Sequence, residues 1–256
     1  YMLGAYLGAS LAAATGSFWW GLLLALLAAL AAGLLLEVLV FRHLYARDHL
    51  AQVLATFGVI LFLNQAVKLV WGAAPLQAPI PAILDGGIEI MPGLQYPLYR
   101  VAVLGAGIAT AAGLWWLVER TRAGMLVRAG ATNASMVSAL GVDINRLFTM
   151  VFAFGAMLAG FAGVLAAPIF SVEPGMGDNV LILAFVVIVI GGIGSIRGAF
   201  LAALLVGLID TLGKSVMPDV MRLFLDASAA RQTGAALASM LVYVAMAAIL
   251  AFRPAG

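Results

Sequence analysis

The sequence contains no cysteine, only two histidines and very little charge: 13 lysines and arginines and 11 aspartates and glutamates in 256 residues. Without cysteine there is no disulfide, no thiolate metal site and no cysteine nucleophile, and the redox compartment stays open. His43 and His49 flank the polar turn "RHLYARD" with no third ligand evident, so they read as interfacial side chains rather than a metal centre. No combination of serine, histidine and carboxylate falls at membrane depth, and no paired acids do, which leaves covalent catalysis without its residues. Charged residues make up 9% of the chain, against about 25% in a soluble domain. The net charge of +2 comes from arginines that flank apolar runs, and it implies no nucleic acid.

What is abundant is apolar surface, at 65% of all residues. A helix needs about 20 apolar residues to cross about 30 Å of hydrocarbon. The uncharged stretches are long enough for an all-α polytopic membrane protein with about eight membrane segments, forming a single transmembrane domain over 1–256. Tyr1 to Leu36 carries no charge and is divided at Thr15, Gly16 and Ser17 into the end of one span and a second from Phe18 to about Phe41. Further spans are expected at Leu50 to Trp71, Val101 to Val118, Leu147 to Val172, Asn179 to Ile196, Gly198 to Leu212 and Gln232 to Phe252. Tyr1 lies inside an apolar run with no targeting motif ahead of it, so the first segment is read as partial and the chain as N-terminally truncated.

Orientation follows from the arginine and lysine bias of the connections. One set holds Arg42, Arg47, Arg120, Arg122, Arg128, Arg146, Arg197 and Arg253 against the acids Glu37, Asp48, Glu119 and Asp143. The other holds Lys68, Arg100, Lys214, Arg222 and Arg231 against seven acids, Asp85, Glu89, Glu173, Asp178, Asp210, Asp219 and Asp226. The first set, net positive, is cytoplasmic. The outer connection "WGAAPLQAPIPAILDGGIEIMPGLQYP" is rich in proline and glycine and reads as extended and turn-rich. A second outer connection places Val220, Met221, Phe224 and Leu225 on one helical face, either lying along the membrane surface or packed as an ordinary connector.

Span interiors are nearly free of ionisable groups, which argues against a proton- or ion-coupled carrier. Glu37 and Lys68 lie close enough to span ends to reach the interface. Gly207 with "GKS" at Gly213 to Ser215 is not a phosphate loop, because five residues separate the glycines where four are required. Asp210 and Lys214 are four apart and neutralise one another on a helix. The run from Asn179 ends in "GGIGS", Gly191 to Ser195, and the next has twelve residues before Asp210. Such glycine-interrupted segments either expose backbone along a path through the membrane or let helices approach closely, as Gly194 and Gly198 would.

The stretch "RAGATNASMVSALGVDINR", Arg128 to Arg146, is polar, bounded by glycine and too short to span. Thr132 or Asn133 can cap a short helix, Gly141 can end it, and Met136, Val137 and Leu140 form an apolar stripe between them. A helix of about seven residues does not persist alone in water. The stripe either folds back on the membrane bundle or enters a groove on a cytoplasmic partner.

Several long blocks in order resemble permease subunits of ABC importers for branched-chain amino acids, of the LIV type and nearest its H-type permease. They are "VRAGATNASMVSALGVDINRL" from Val127 to Leu147, "LAGFAGVLAAPIFSVEPGMG" from Leu158 to Gly177, and "AFVVIVIGGIGSIRGAFLAALLVGLIDTLG" from Ala184 to Gly213. "QVLATFGVILFLNQAVKLVWG" from Gln52 to Gly72, "YPLYR" from Tyr96 to Arg100 and "YMLGAY" at Tyr1 to Tyr6 resemble the family too. The resemblance implies a multi-pass protein of the bacterial plasma (inner) membrane that is not an enzyme. Its implied partners are a paired homologous permease, two cytoplasmic ATPase subunits and an extracytoplasmic substrate-binding protein. It implies no cofactor on this chain, ATP being bound by the partners. Residues 119–146 would be the cytoplasmic coupling loop, with Arg128, Asn133, Met136, Val137, Leu140, Gly141 and Asp143 meeting the ATPase. Gly191, Gly192, Gly194 and Ser195, with Thr56 and Gly58, would shape the translocation path. The family commonly has a basic and an acidic residue where this chain has Ala134 and Ser135. A urea or short-amide importer of the same architecture is the alternative, followed by a stand-alone channel or secondary carrier.

Overall fold

A computed structural model of the chain describes residues 1–45, 47–91, 94–192, 194–222 and 226–252. The chain order is α1 (Met2–Thr15), α2 (Phe18–Leu36), a π-helical turn (Glu37–Phe41), α3 (Arg42–Leu44) and α4 (His49–Trp71), then a hairpin of β1 (Gly87–Met91) and β2 (Leu94–Pro97). There follow α5 (Leu98–Arg120), α6 (Arg122–Thr132), α7 (Ala134–Ala139), α8 (Ile144–Ala166), α9 (Met176–Gly191), α10 (Ile196–Met221) and α11 (Ala227–Phe252). Six of the helical stretches are long and apolar enough to cross a membrane, and α1 and α9 are shorter apolar helices. The all-α polytopic reading therefore stands, and the outer connection forms the extended, turn-rich hairpin expected of it. Contacts group the chain into two compact units, 1–177 and 178–256.

In the first unit α1, α2 and α8 pack on one another, and small residues set the distance. On α2 the buried positions are Gly21, Ala25, Ala29 and Gly33, one every four residues and hence one stripe. A methyl group added at Gly33 would lie 2.5 Å from Ala156 Cβ, and one at Gly160 would lie 2.6 Å from Ala29 Cβ. A methyl at Gly4 would collide with the backbone of Gly160. The three helices thus meet backbone to backbone, the mode in which helices bind one another where lipid removes the hydrophobic incentive.

The ends of these helices sort as the charge bias requires. At one end Phe18 meets Tyr99, the Tyr99 hydroxyl donates to the Leu165 carbonyl at 2.8 Å, and Tyr6, Trp71, Leu76 and Val172 share a buried cluster. At the other end Phe41 meets Phe152, Tyr45 meets Phe148, and Gln52 donates to the Leu44 carbonyl. The start of α2, the end of α4, the start of α5 and the end of α8 therefore lie at one end, which the charge bias makes the outer one. The end of α2, the start of α4 and the start of α8 lie at the other.

In the second unit α10 and α11 form a long hairpin, with Gly213 against Ala238 and Gly234 against Pro218. Val186 of α9, Val206 of α10 and Val242 of α11 make its core. The span expected from Gly198 to Leu212 is longer at both ends: α10 is one helix of 26 residues that continues through Asp210 and Lys214. Lys214 Nζ stands 2.7 Å from Asp210 Oδ2, so the charge that would have ended the span is balanced one turn on. Val220 and Met221 close α10, while Phe224 and Leu225 lie outside the described residues.

The packing predicts a contrast between two glycines of α8. Gly160→Val should cost about 1–3 kcal/mol, read as a lower melting temperature of the detergent-purified protein. Gly155→Ala, where a new methyl meets open space, should leave that temperature unchanged.

Candidate functional site: the coupling segment

The polar segment is more structured than a lone turn, because α6 precedes the expected short helix. Thr121 breaks the chain out of α5 with extended dihedrals, and its hydroxyl accepts from the Gly124 amide at 3.2 Å, capping α6. Gly124 sits so close to the carbonyls of Leu117 and Val118 that any side chain would collide with them. The Arg128 guanidinium donates to the Val118 carbonyl, so α6 is folded back on the end of α5. Arg128 is thereby a clamp at the base of the segment. The opposite flank of α6 leans on α8, where Gly130 faces Leu147, Ile144 and Phe148.

Of the two candidate caps it is Asn133 that works. Its Oδ1 accepts from the Met136 amide at 3.0 Å and from the Ser135 hydroxyl at 2.8 Å, while the Thr132 hydroxyl turns back to the Arg128 carbonyl. Ser135, at a departure from the family pattern, thus has a local task. Gly141 ends α7 at φ 88°, a left-handed conformation that favours glycine. Asp143 then starts α8, accepting from the Arg146 amide at 3.1 Å and pairing with the Arg146 side chain at 2.9 Å. Six-residue α7 is in this way held at both ends.

The apolar stripe divides. α7 packs on α6 and α8, and Val137, at 7% exposure, is its buried residue. Met136 and Leu140 are 65% and 77% exposed. Neither expected arrangement holds for the stripe as a whole: Val137 anchors the helix to its own protein, and Met136 and Leu140 stand clear.

A polar contact that the sequence did not reveal lies at the start of α8. Glu37, close to a span end as expected, is 1% exposed, in the π-helical turn at the end of α2. The Thr149 hydroxyl of α8 lies 2.8 Å from Glu37 Oε2 and accepts from the Arg42 guanidinium at 3.0 Å, with Arg42 3.7 Å from the same carboxylate. The partners are 112 residues apart in sequence, and only the pairing of α2 with α8 brings them together. This cluster fastens the first turns of α8, directly after α7, to the inner end of α2.

The path candidates are less concentrated. Thr56 and Gly58 are exposed on α4, about 200° apart around the helix, so they do not share a face; the Thr56 hydroxyl donates to the Val53 carbonyl at 2.8 Å. Gly191 to Ser195 form the turn between α9 and α10, with Gly192 and Gly194 at φ 80° and 91° and the Ser195 hydroxyl capping α10 through the Gly198 amide at 3.0 Å. Gly198 packs against the Gly191 backbone, so of the pair expected to let helices approach, Gly198 makes a close contact. Gly194 has open space around it.

Six helices among the described residues are long and apolar enough to cross a membrane, which makes the chain a multi-pass membrane protein. Residues 1–250 match the family described as branched-chain amino acid transport system / permease component, and the chain belongs to that family. It is 32% identical over 192 residues to the high-affinity branched-chain amino acid permease protein BraD of Pseudomonas aeruginosa, covering 73% of this chain and 62% of that protein. It is 27% identical over 242 residues to LivH of Escherichia coli, covering 85% and 74%. A probable branched-chain amino acid permease of Methanocaldococcus jannaschii is 29% identical over 100 residues, 39% of this chain and 32% of its own. The chain thus spans less than two thirds of BraD and about three quarters of LivH. No solved structure matches it. The family is one of permease components.

Thr149→Val removes the hydroxyl between Glu37 and Arg42 and should cost about 1–3 kcal/mol, visible as a lower melting temperature. Thr149→Ser, which keeps the hydroxyl, should recover most of the loss.

Proposed function

We propose that the chain is a permease subunit of an ATP-driven importer for branched-chain or other hydrophobic amino acids, working by alternating access with two separate ATPase subunits. The observation that carries this reading is the divided stripe of α7. Isolated helices of six residues are unstable in water, yet this one is capped by Asn133, closed by Gly141 and anchored by Val137. Met136 and Leu140 remain uncovered on the inner side. Covering a side chain of that size is worth roughly 1.5–3 kcal/mol, so a groove in a cytoplasmic partner would take both.

In this reading Met136 and Leu140 enter the ATPase subunit, and Arg128, Asn133, Gly141 and Asp143 keep the helix rigid beneath the load. Closing of the ATPase pair on ATP displaces α7, and α8 carries the displacement into the bundle. This chain binds no nucleotide and needs no cofactor. A second homologous permease completes the path, and an extracytoplasmic binding protein selects and delivers the substrate. The turn of Gly191, Gly192, Gly194 and Ser195 lies next to Arg197, on the inner side by charge bias, where an inner mouth would be. Thr56 and Gly58 offer two different faces of α4, of which one at most lines the path.

Leu140→Asp tests the coupling. In the complete importer it should lower uptake about tenfold or more while membrane insertion stays normal, and the ATPase subunits should be lost on purification of the permease. Leucine uptake at the wild-type rate by that variant would remove the coupling role from α7. Uptake in liposomes by this chain alone would instead identify a channel or secondary carrier.

A further inference from the structure

Asp210 and Lys214 are used by none of the foregoing. Asp210 is the fifteenth residue of α10, about 21 Å from its inner end, and so within the hydrocarbon layer. Ionised groups at such depth are costly and face a watery path or another protein rather than lipid. The second unit shows which side that is. Leu201, Leu208 and Leu212 are exposed on the opposite side of α10 from Asp210. Leu237, Met240 and Val244 make a corresponding apolar face on α11.

Between the polar sides of the three helices runs a cleft of about 280 Å³, close to the lower bound of about 300 Å³ for small-molecule sites. Asn179 of α9, Asp210 and Lys214 of α10, and Ser239 and Tyr243 of α11 give it polar groups, and Ile182, Leu183 and Val242 give it an apolar wall. The acid and the base stand 2.7 Å apart at its edge. One helical turn thus presents a carboxylate and an ammonium beside an apolar surface. Those are the complements of an α-ammonium, an α-carboxylate and an aliphatic side chain.

We propose that this cleft is a transit site for a zwitterionic α-amino acid, whose ammonium is taken by Asp210 and whose carboxylate is taken by Lys214, with its side chain along Ile182, Leu183 and Val242. The proposal rests on the amino-acid importer reading and places its substrate. In the empty site the two side chains neutralise each other; on entry the substrate exchanges that pair for two pairs of its own, so the net charge in the membrane never changes. The site has weak side-chain selectivity, since one short aliphatic wall measures little beyond apolarity, and strict demands on the head group.

The wild-type importer, purified with its ATPase subunits and without binding protein, provides the first test. Lys214 and Lys68 are the only lysines in the chain, so acylation by a water-soluble amine reagent can be followed at Lys214 with Lys68 as internal reference. Leucine should slow labelling of Lys214 relative to Lys68, whereas its keto acid, lacking the ammonium, and its amide, lacking the carboxylate, should not. Equal labelling of Lys214 with and without leucine overturns the proposal. In proteoliposomes containing the whole importer, Asp210→Asn and Lys214→Met should each reduce leucine uptake about tenfold or more. The exchange Asp210→Lys with Lys214→Asp restores an ion pair of reversed order and should stay inactive; recovery of wild-type uptake would mark the pair as purely structural and overturn the site. Normal uptake by the wild type and both single variants overturns the site alone. No leucine uptake by the wild type overturns the importer reading and the site with it.

Discussion

Lipid tails are as apolar as leucine, so the leucines that fill this sequence give its helices little reason to hold together in a membrane. What holds the first unit is close approach of backbones at Gly4 of α1, at Gly33 of α2 and at Gly160 of α8. The larger side chains are thereby turned outward, where Leu23, Leu27 and Leu35 of α2 stand exposed to the bilayer. Dispersion between close-packed backbones falls off steeply with small gaps, and most of the side chains at these contacts are no larger than alanine or valine. They behave as one body, and the position of everything attached to α8 follows from it.

That body explains how a short helix can be useful on the inner side. α7 contributes one buried side chain, two caps and a left-handed glycine to its own support, and nothing else. Its neighbour α8 contributes the rest, since Thr149 on its second turn is bonded to the buried Glu37 of α2. Glu37 sits in a π-helical turn, a local widening of the helix often found at functional positions. A carboxylate with 1% exposure is tolerable there because it is paired with Arg42 and hydrogen-bonded to Thr149.

The membrane class, the span order and the alternation of helix ends were legible from charge-free runs and the arginine bias. So were the α7 cap and stop, because Asn133 and Gly141 act through local geometry. The four-residue stripe of Gly21, Ala25, Ala29 and Gly33 was written in the sequence, but leucines on every side of α2 leave it with almost no amphipathic contrast. The partner of Glu37 was not legible because a lone acid near a span end looks the same whether it reaches water or meets a threonine 112 residues away. The span through Asp210 was read as ending at Leu212, yet α10 continues to Met221 with Asp210 and Lys214 paired within it. α6 was missed because polar residues with glycine at both ends resemble a loop, and its support comes from the Val118 carbonyl and from α8, neither of them local.

The exposed ridge and the buried core are joined by an unbroken series of contacts. Met136 shares six-residue α7 with Val137 and Leu140 caps its end, α7 packs on α6 and α8, Thr149 ties α8 to α2, and Gly160 presses α8 against Ala29 of α2 and Gly4 of α1. Each link is short: a cap, a buried valine, a 2.8 Å hydrogen bond and a backbone contact. Packed interiors of this kind transmit displacement rather than absorb it. A load on Leu140 cannot be dissipated by melting α7, since its ends are fixed by Asn133 and by the Gly141–Asp143 turn, nor by tilting α8 alone, since Glu37 holds its inner end. In the proposed importer such a load would move α1, α2 and α8 together, the collective response that alternating access requires.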